Sequence, residues 1–141
     1  MTIALFNLED FVNVVRDKFD FLFKKYDYDL LQTCSARSNE HMQIIIGSGC
    51  CRLRFQYDLG YIEISIGPND APLGWAKDPF KESDWIPVEA LFEFLDKKRQ
   101  QTQNELLEAD EAMLDRGEIY LTYVAKKIRQ RYREIELFFQ K

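Results

Sequence analysis

Acids, aromatics and prolines crowd into one stretch of this 141-residue chain, PNDAPLGWAKDPFKESD, residues 68–84. Its carboxylates Asp70, Asp78, Glu82 and Asp84 are oxygen ligands of the kind that hold a hard cation, yet they lack the alternating spacing of a calcium loop. Two carboxylates can also divide the work of general acid and general base, which needs no motif, only environments that separate their pKa values. Trp75 and Phe80 lie among these acids. That mixture suits a third task, docking a basic protein: buried aromatics carry binding energy and acidic surface speeds the encounter.

Other chemistry is thinly supplied. His41 is the only histidine, and a single imidazole makes no usual zinc site and serves as base to no identifiable nucleophile. Cys34, Cys50 and Cys51 are odd in number and show no CxxC spacing, so they read as free thiols. On a strand, consecutive side chains point to opposite faces, which sends Cys51 to the core and Cys50 to the other side. Gly47-Ser48-Gly49 is too short to cradle a phosphate, and no dinucleotide, P-loop or metalloprotease motif is present. The expectation is a chain without cofactor, metal or assigned catalytic residue.

What must position these residues is a small α+β domain spanning 1–141. After Asn7, Leu8, Phe11, Val12, Val15, Phe19, Leu22, Phe23 and Tyr26 recur at helical steps and predict one helix over 8–26. A four-stranded antiparallel meander follows over 30–67. Within CCRLRFQYDLGYIEISIG the alternation of Leu53, Phe55 and Tyr57 meets that of Ile62, Ile64 and Ile66 only if Tyr57 lies opposite Ile62 and Phe55 opposite Ile64. For the preceding hairpin, a two-residue Ser48-Gly49 loop would set Ile46 opposite Cys51 and Ile44 opposite Leu53. The 68–84 loop comes next, then a helix over 87–99 opened by Pro87.

The tail, 103–139, carries a long stripe through Leu106, Ala109, Met113, Leu121, Val124, Ile128, Tyr132, Ile135 and Phe139. One straight helix of that length would run ~55 Å, longer than a compact domain of this size is wide. A bend near Gly117 is expected, with two or three C-terminal helices covering one sheet face. The other face would present Arg52, Arg54, Tyr61 and Glu63, with Gln56 and Ser65, as a wet surface able to dock a partner.

Charge is uneven. Nine acids face two lysines between Asp58 and Asp96, whereas six bases accompany only Glu118 between Arg116 and Arg133. The net charge of -5 and the absence of a nucleic-acid motif argue against nucleic acid as partner. The longest apolar run is too short to cross a bilayer, and MTIALFNLED has no basic segment leading a long apolar one, so a cytoplasmic protein is expected.

RLRFQYDLGYIEISIGP, followed after a polar loop by SDWIPVEALFEFL, resembles a set of small bacterial α+β proteins, several of them similar to immunity proteins of toxin systems. That resemblance implies an acidic inhibitor acting by binding a basic toxin domain and not by catalysis. A homodimeric structural or regulatory protein, joined through the C-terminal helices with Tyr120, Tyr123, Phe138 and Phe139, is the alternative. A carboxylate-based enzyme is the third.

Overall fold

The computed structural model describes residues 7–36, 39–74, 84–97 and 101–140. Asn7 caps the first helix, α1 (Leu8–Lys18), its side chain accepting the Asp10 N–H at 2.8 Å. Glu9 and Asp10 follow in the first turn, where the helix dipole favours acids. The apolar stripe runs on to Tyr26, but the helix does not. At Phe19 the backbone leaves helical values (φ -110°, ψ 25°) and a short α2 (Asp20–Lys25) begins. Phe19 is fully buried there and meets Phe55 edge-on, ring centroids 4.9 Å apart. Periodicity carries through such a break because it costs no register on the buried side.

Five antiparallel strands make the sheet, in the order β1 (Asp29–Ala36), β2 (His41–Gly47), β3 (Cys51–Asp58), β4 (Tyr61–Pro68) and β5 (Ile86–Pro87). The four-stranded expectation is one strand short. Only Ser65↔Pro87 and Ile66↔Ile86 pair across the last ladder, and two residues are too few to show a period.

The central hairpin has the expected register, Tyr57 opposite Ile62, Phe55 opposite Ile64 and Leu53 opposite Ile66. Leu59 and Gly60 join the strands with φ of 51° and 91°, the paired positive values that a two-residue type I′ turn requires. The preceding hairpin differs from expectation by two residues: Ile46 lies opposite Leu53 and Ile44 opposite Phe55. Residues 48–51 form its connection, held by the Ser48 N–H on the Cys51 carbonyl (3.0 Å) and the Cys50 N–H on the Ser48 Oγ (3.1 Å). A shift of two keeps every side chain on its face, so the hydrophobic pattern cannot detect it. The turn decides it.

Three helices complete the chain, α3 (Val88–Asp96), α4 (Gln103–Asp115) and α5 (Glu118–Phe139). Together with α1 and α2 they cover one sheet face, burying Met42, Ile44, Ile46, Leu53, Phe55, Ile62, Ile64 and Ile66 against Phe11, Leu22, Leu91, Leu121, Val124 and Ile128. At roughly 1.5–3 kcal/mol for each large apolar side chain fully buried, this layer dominates the stabilisation of the fold.

Between α4 and α5 the chain turns at Arg116, which is left-handed at φ 52°. One carboxylate fixes the corner: Asp115 Oδ2 accepts the N–H groups of Gly117 (2.8 Å), Ile119 (3.0 Å) and Tyr120 (3.4 Å) at the start of α5. Arg116 ties the corner to the sheet, its carbonyl accepting the Ile62 N–H at 2.9 Å. That N–H lies on the edge of β4 beyond the reach of β5, where a bare strand would otherwise invite pairing with another chain.

Candidate protein-interaction surface

The outer sheet face is not the open surface the alternation suggests. Residues 69–74 lie across it, and Trp85 closes over them. Arg52 donates to the Ala71 carbonyl (2.5 Å), Gln43 to the Gly74 carbonyl (2.9 Å), and the Gly74 N–H donates to Gln32 Oε1 (2.6 Å). Trp85 Nε1 donates to the Pro72 carbonyl at 3.1 Å. The approach is close enough to demand glycine at Gly67, where a Cβ would come within 2.6 Å of the Asp84 carbonyl oxygen and 2.9 Å of the Ala71 Cβ.

Arg54 is therefore corrected from docking residue to packing residue. It is 4% exposed, its guanidinium stacked 4.8 Å from the Trp85 ring centre. Arg52 is half-buried under the same segment. Tyr61 (48% exposed) and Glu63 stay at the surface, but Tyr61 is a lid on Arg116, whose guanidinium lies between the Tyr61 and Tyr120 rings at 4.7 and 4.1 Å. Asp70 and Asp84 are exposed at the two ends of the acidic loop. Trp75, Asp78, Phe80 and Glu82 lie outside the described residues. Of the described residues expected to dock, Asp70, Asp84, Tyr61 and Glu63 are exposed and Arg54 is not.

Carboxylates do converge in a groove of about 390 Å³ between α3, α4 and α5, lined by Glu89, Glu93 and Asp96 together with Phe92, Met113 and Lys127. Their partners show what they do. Asp96 receives Lys127 Nζ at 2.5 Å, the Arg131 guanidinium, and the Gln101 side-chain amide at 3.0 Å. Burial opposes the Asp96 charge, but those two cations outweigh it and hold the carboxyl below its ordinary range. Arg131 also grips Glu134 at 2.6 and 2.7 Å and the Leu95 carbonyl at 2.9 Å, and α5 departs from helical geometry at this residue. Glu89 is bound by Arg116 at 3.0 Å and by the Tyr120 hydroxyl. Asp96 is thus an ionised carboxylate clamped by cations, the opposite of the raised pKa that marks a general acid. Among the described residues no group of three or more His, Cys, Asp or Glu could hold a metal ion.

What the sequence reading missed lies on α4. Thr102 and Glu105 cap it reciprocally, the Glu105 N–H on Thr102 Oγ1 (3.1 Å) and the Thr102 N–H on Glu105 Oε1 (3.4 Å). This two-way cap satisfies two backbone N–H groups at the start of α4. Ala112 is its one fully buried residue. The predicted stripe through Leu106, Ala109 and Met113 is only partly covered, and Leu107 and Leu114 are 56% and 87% exposed.

At ~100° per residue, Leu107 and Leu114 fall on one line almost opposite Ala112, with Asp110 and Glu111 to either side. Five acids and no base occupy residues 103–115. Glu108 is paired with Lys126 at 3.1 Å, Glu105 caps the first turn and Asp115 caps α5. Asp110 and Glu111 are exposed and form no ion pair with another described residue. A signal existed: the doubled pairs Leu106-Leu107 and Met113-Leu114 carry more apolar surface than one buried stripe needs.

No helix among the described residues is long and apolar enough to cross a membrane. No known protein family, curated protein or solved structure matches the chain, so its functional surface is argued from its own geometry.

Proposed function

We propose that this chain is a non-enzymatic protein-binding module whose docking surface is the outward face of α4, and that its partner presents a basic, partly apolar surface. One observation carries the reading: a well-capped helix turns Leu107 and Leu114 to solvent between Asp110 and Glu111, acids that form no ion pair among the described residues. Exposed large apolar residues rimmed by charge mark interaction sites more often than they decorate a surface at random. The acids select the partner's sign. An immunity-type inhibitor of a basic toxin domain is the narrower form of this reading, supported by the resemblance of the sheet and α3 sequence and by the net charge of -5.

Self-association through the C-terminal helices is less well supported. Tyr120 is fully buried, Tyr123 packs on Phe92, and Phe138 lies between Phe94 and Phe139, so those aromatics serve the fold. A second copy laid on α4 would also set Asp110 and Glu111 against their own like charges, which destabilises an interface.

The test is capture from native lysate by wild-type protein and by a Leu107→Ala/Leu114→Ala variant, with cross-linking of any retained protein to locate its contacts. The reading expects a partner that cross-links to α4 through lysines, leaves with rising salt and is lost by the variant. A partner held equally by the variant, or stable dimers of the chain in sedimentation, would sink it.

A further inference from the structure

The two edges of the sheet are treated differently. On the β4 side, β5 pairs with Ser65 and Ile66, and the Arg116 carbonyl takes the Ile62 N–H. On the other side β1 ends the sheet, and among the described residues no backbone group of Asp29–Ala36 bonds to anything but β2. Alternate N–H and C=O groups of such a strand point outward, open to another chain.

Cover is missing on the faces as well as at the edge. β1 has no buried residue, whereas β2, β3 and β4 are mostly buried. Thr33 and Ser35 lie opposite Ile44 and Met42, which are fully buried, yet both are exposed, so the helical layer stops short of β1. On the other face the 69–74 segment reaches Gln32 through the Gly74 N–H, and Cys34 beyond it is half-buried.

Nor does the sequence guard this edge. Edge strands are commonly blunted by proline, by charge, by short length or by a bulge. Leu30–Ala36 reads LLQTCSA, with no proline and no charge. One irregularity falls between Leu30 and Gln32, and from Gln32 to Ala36 the pairing with β2 is regular again. That regular stretch can accept a strand.

We propose that the outer edge of β1 is a second docking site, which takes an extended, uncharged, proline-free segment of another protein, rich in β-branched residues, as an added strand of the sheet. The inference is independent of the α4 reading. Main-chain hydrogen bonds supply the attraction, and side chains at alternate positions supply the fit. Nothing between Leu30 and Ala36 would pair with a charge in the incoming strand, while Thr33 and Ser35 suit threonine or another β-branched neighbour across the ladder. A second copy of β1 is a poor occupant. Thr33 is its one β-branched residue and it has no aromatic, so it is a strand here because β2 templates it. The incoming segment must bring its own β propensity.

The test uses the full folded chain and a ten-residue peptide that alternates threonine and valine between terminal lysines, with a control peptide carrying two central prolines. Hydrogen exchange of the β1 amides is the readout. In the free protein alternate amides from Gln32 to Ala36 should exchange quickly, and the peptide should slow them at least tenfold while the proline control does not. Thr33→Lys/Ser35→Lys places charge at exposed positions and should weaken the peptide at least tenfold with native circular dichroism, whereas Leu107→Ala/Leu114→Ala should bind it as wild type does. Uniform protection of the β1 amides in the free chain, equal binding of the control, slowing at α4 instead of β1, or no slowing at millimolar peptide would overturn the proposal. So would protection of β1 that rises with protein concentration alone, the mark of a second copy. The exchange measurement on wild type decides the matter even where the lysine variant folds poorly.

Discussion

Helices α4 and α5 are neighbours in sequence, joined at one corner and packed on each other, yet they use their residues in opposite ways. Along α5 the apolar side chains Leu121, Val124, Ile128, Tyr132 and Ile135 are buried. Even its buried charges are engaged: Lys127 and Arg131 close on Asp96, and Arg131 takes Glu134 as well. The run of bases between Arg116 and Arg133 is thus partly an internal clamp joining α3 to α5. Along α4 one alanine is buried, while Leu107, Leu114 and the exposed acids Asp110 and Glu111 face out. A buried charge pair does little for stability relative to apolar packing but is costly to break from one side. An exposed leucine does nothing for the monomer. The contrast separates residues kept by folding from residues available to a partner.

Breaking the clamp should have the largest effect. Asp96→Ala leaves Lys127 without its carboxylate and Arg131 with Glu134 alone, and should cost about 3 kcal/mol in urea unfolding. Its pH signature has a definite sign. Because the folded Asp96 carboxyl titrates below its unfolded value, its contribution is complete above about pH 4, the unfolded carboxylate range, and is lost as pH falls through the folded pKa. Wild-type stability should therefore drop on acidification more steeply than that of Asp96→Asn. Parallel profiles would deny Asp96 this role.

On the other helix the prediction reverses. Leu107→Ala/Leu114→Ala should leave unfolding within about 0.5 kcal/mol of wild type, as exposed positions do, while weakening partner binding at least tenfold. A marked loss of stability would show that these leucines serve the fold after all. Between these two extremes lies the corner. Asp115→Ala removes the acceptor for three N–H groups and should cost roughly 1–2 kcal/mol, the upper range for a lost helix cap. Hydrogen exchange should localise that loss to the start of α5.

The smallest effect should come from charge alone. Asp110→Asn/Glu111→Gln should slow association with a basic partner a few-fold at low salt, the difference vanishing as salt rises, with little change in dissociation. A change confined to dissociation would mean that these acids sit inside the contact and not at its rim.

The strand pairing of β3 with β4 was legible because two alternating runs and a two-residue turn leave one register that buries both apolar faces. The β2–β3 register was not, since a shift of two preserves every face and only the hydrogen bonds of residues 48–51 distinguish the alternatives. The candidate surface was legible in still smaller part. Arg52, Arg54, Tyr61 and Glu63 alternate as an exposed face should, and nothing in that alternation says that residues 69–74 and Trp85 will fold over it. Leu107 and Leu114 were present in the sequence as surplus apolar residues, but whether a leucine on an amphipathic helix is buried depends on what packs against it.

The sequence by itself determined the α+β class, the apolar faces of the central hairpin and the helical segments, because each follows from local spacing and steric preference between near neighbours. Tertiary structure alone decided that Arg54 is packed, that Asp96 is clamped, that Cys50 packs against the core and that α4 keeps its leucines in solvent. Those outcomes depend on contacts between residues far apart in the chain, such as Asp96 with Arg131 or Tyr28 with Tyr132, which no local periodicity encodes.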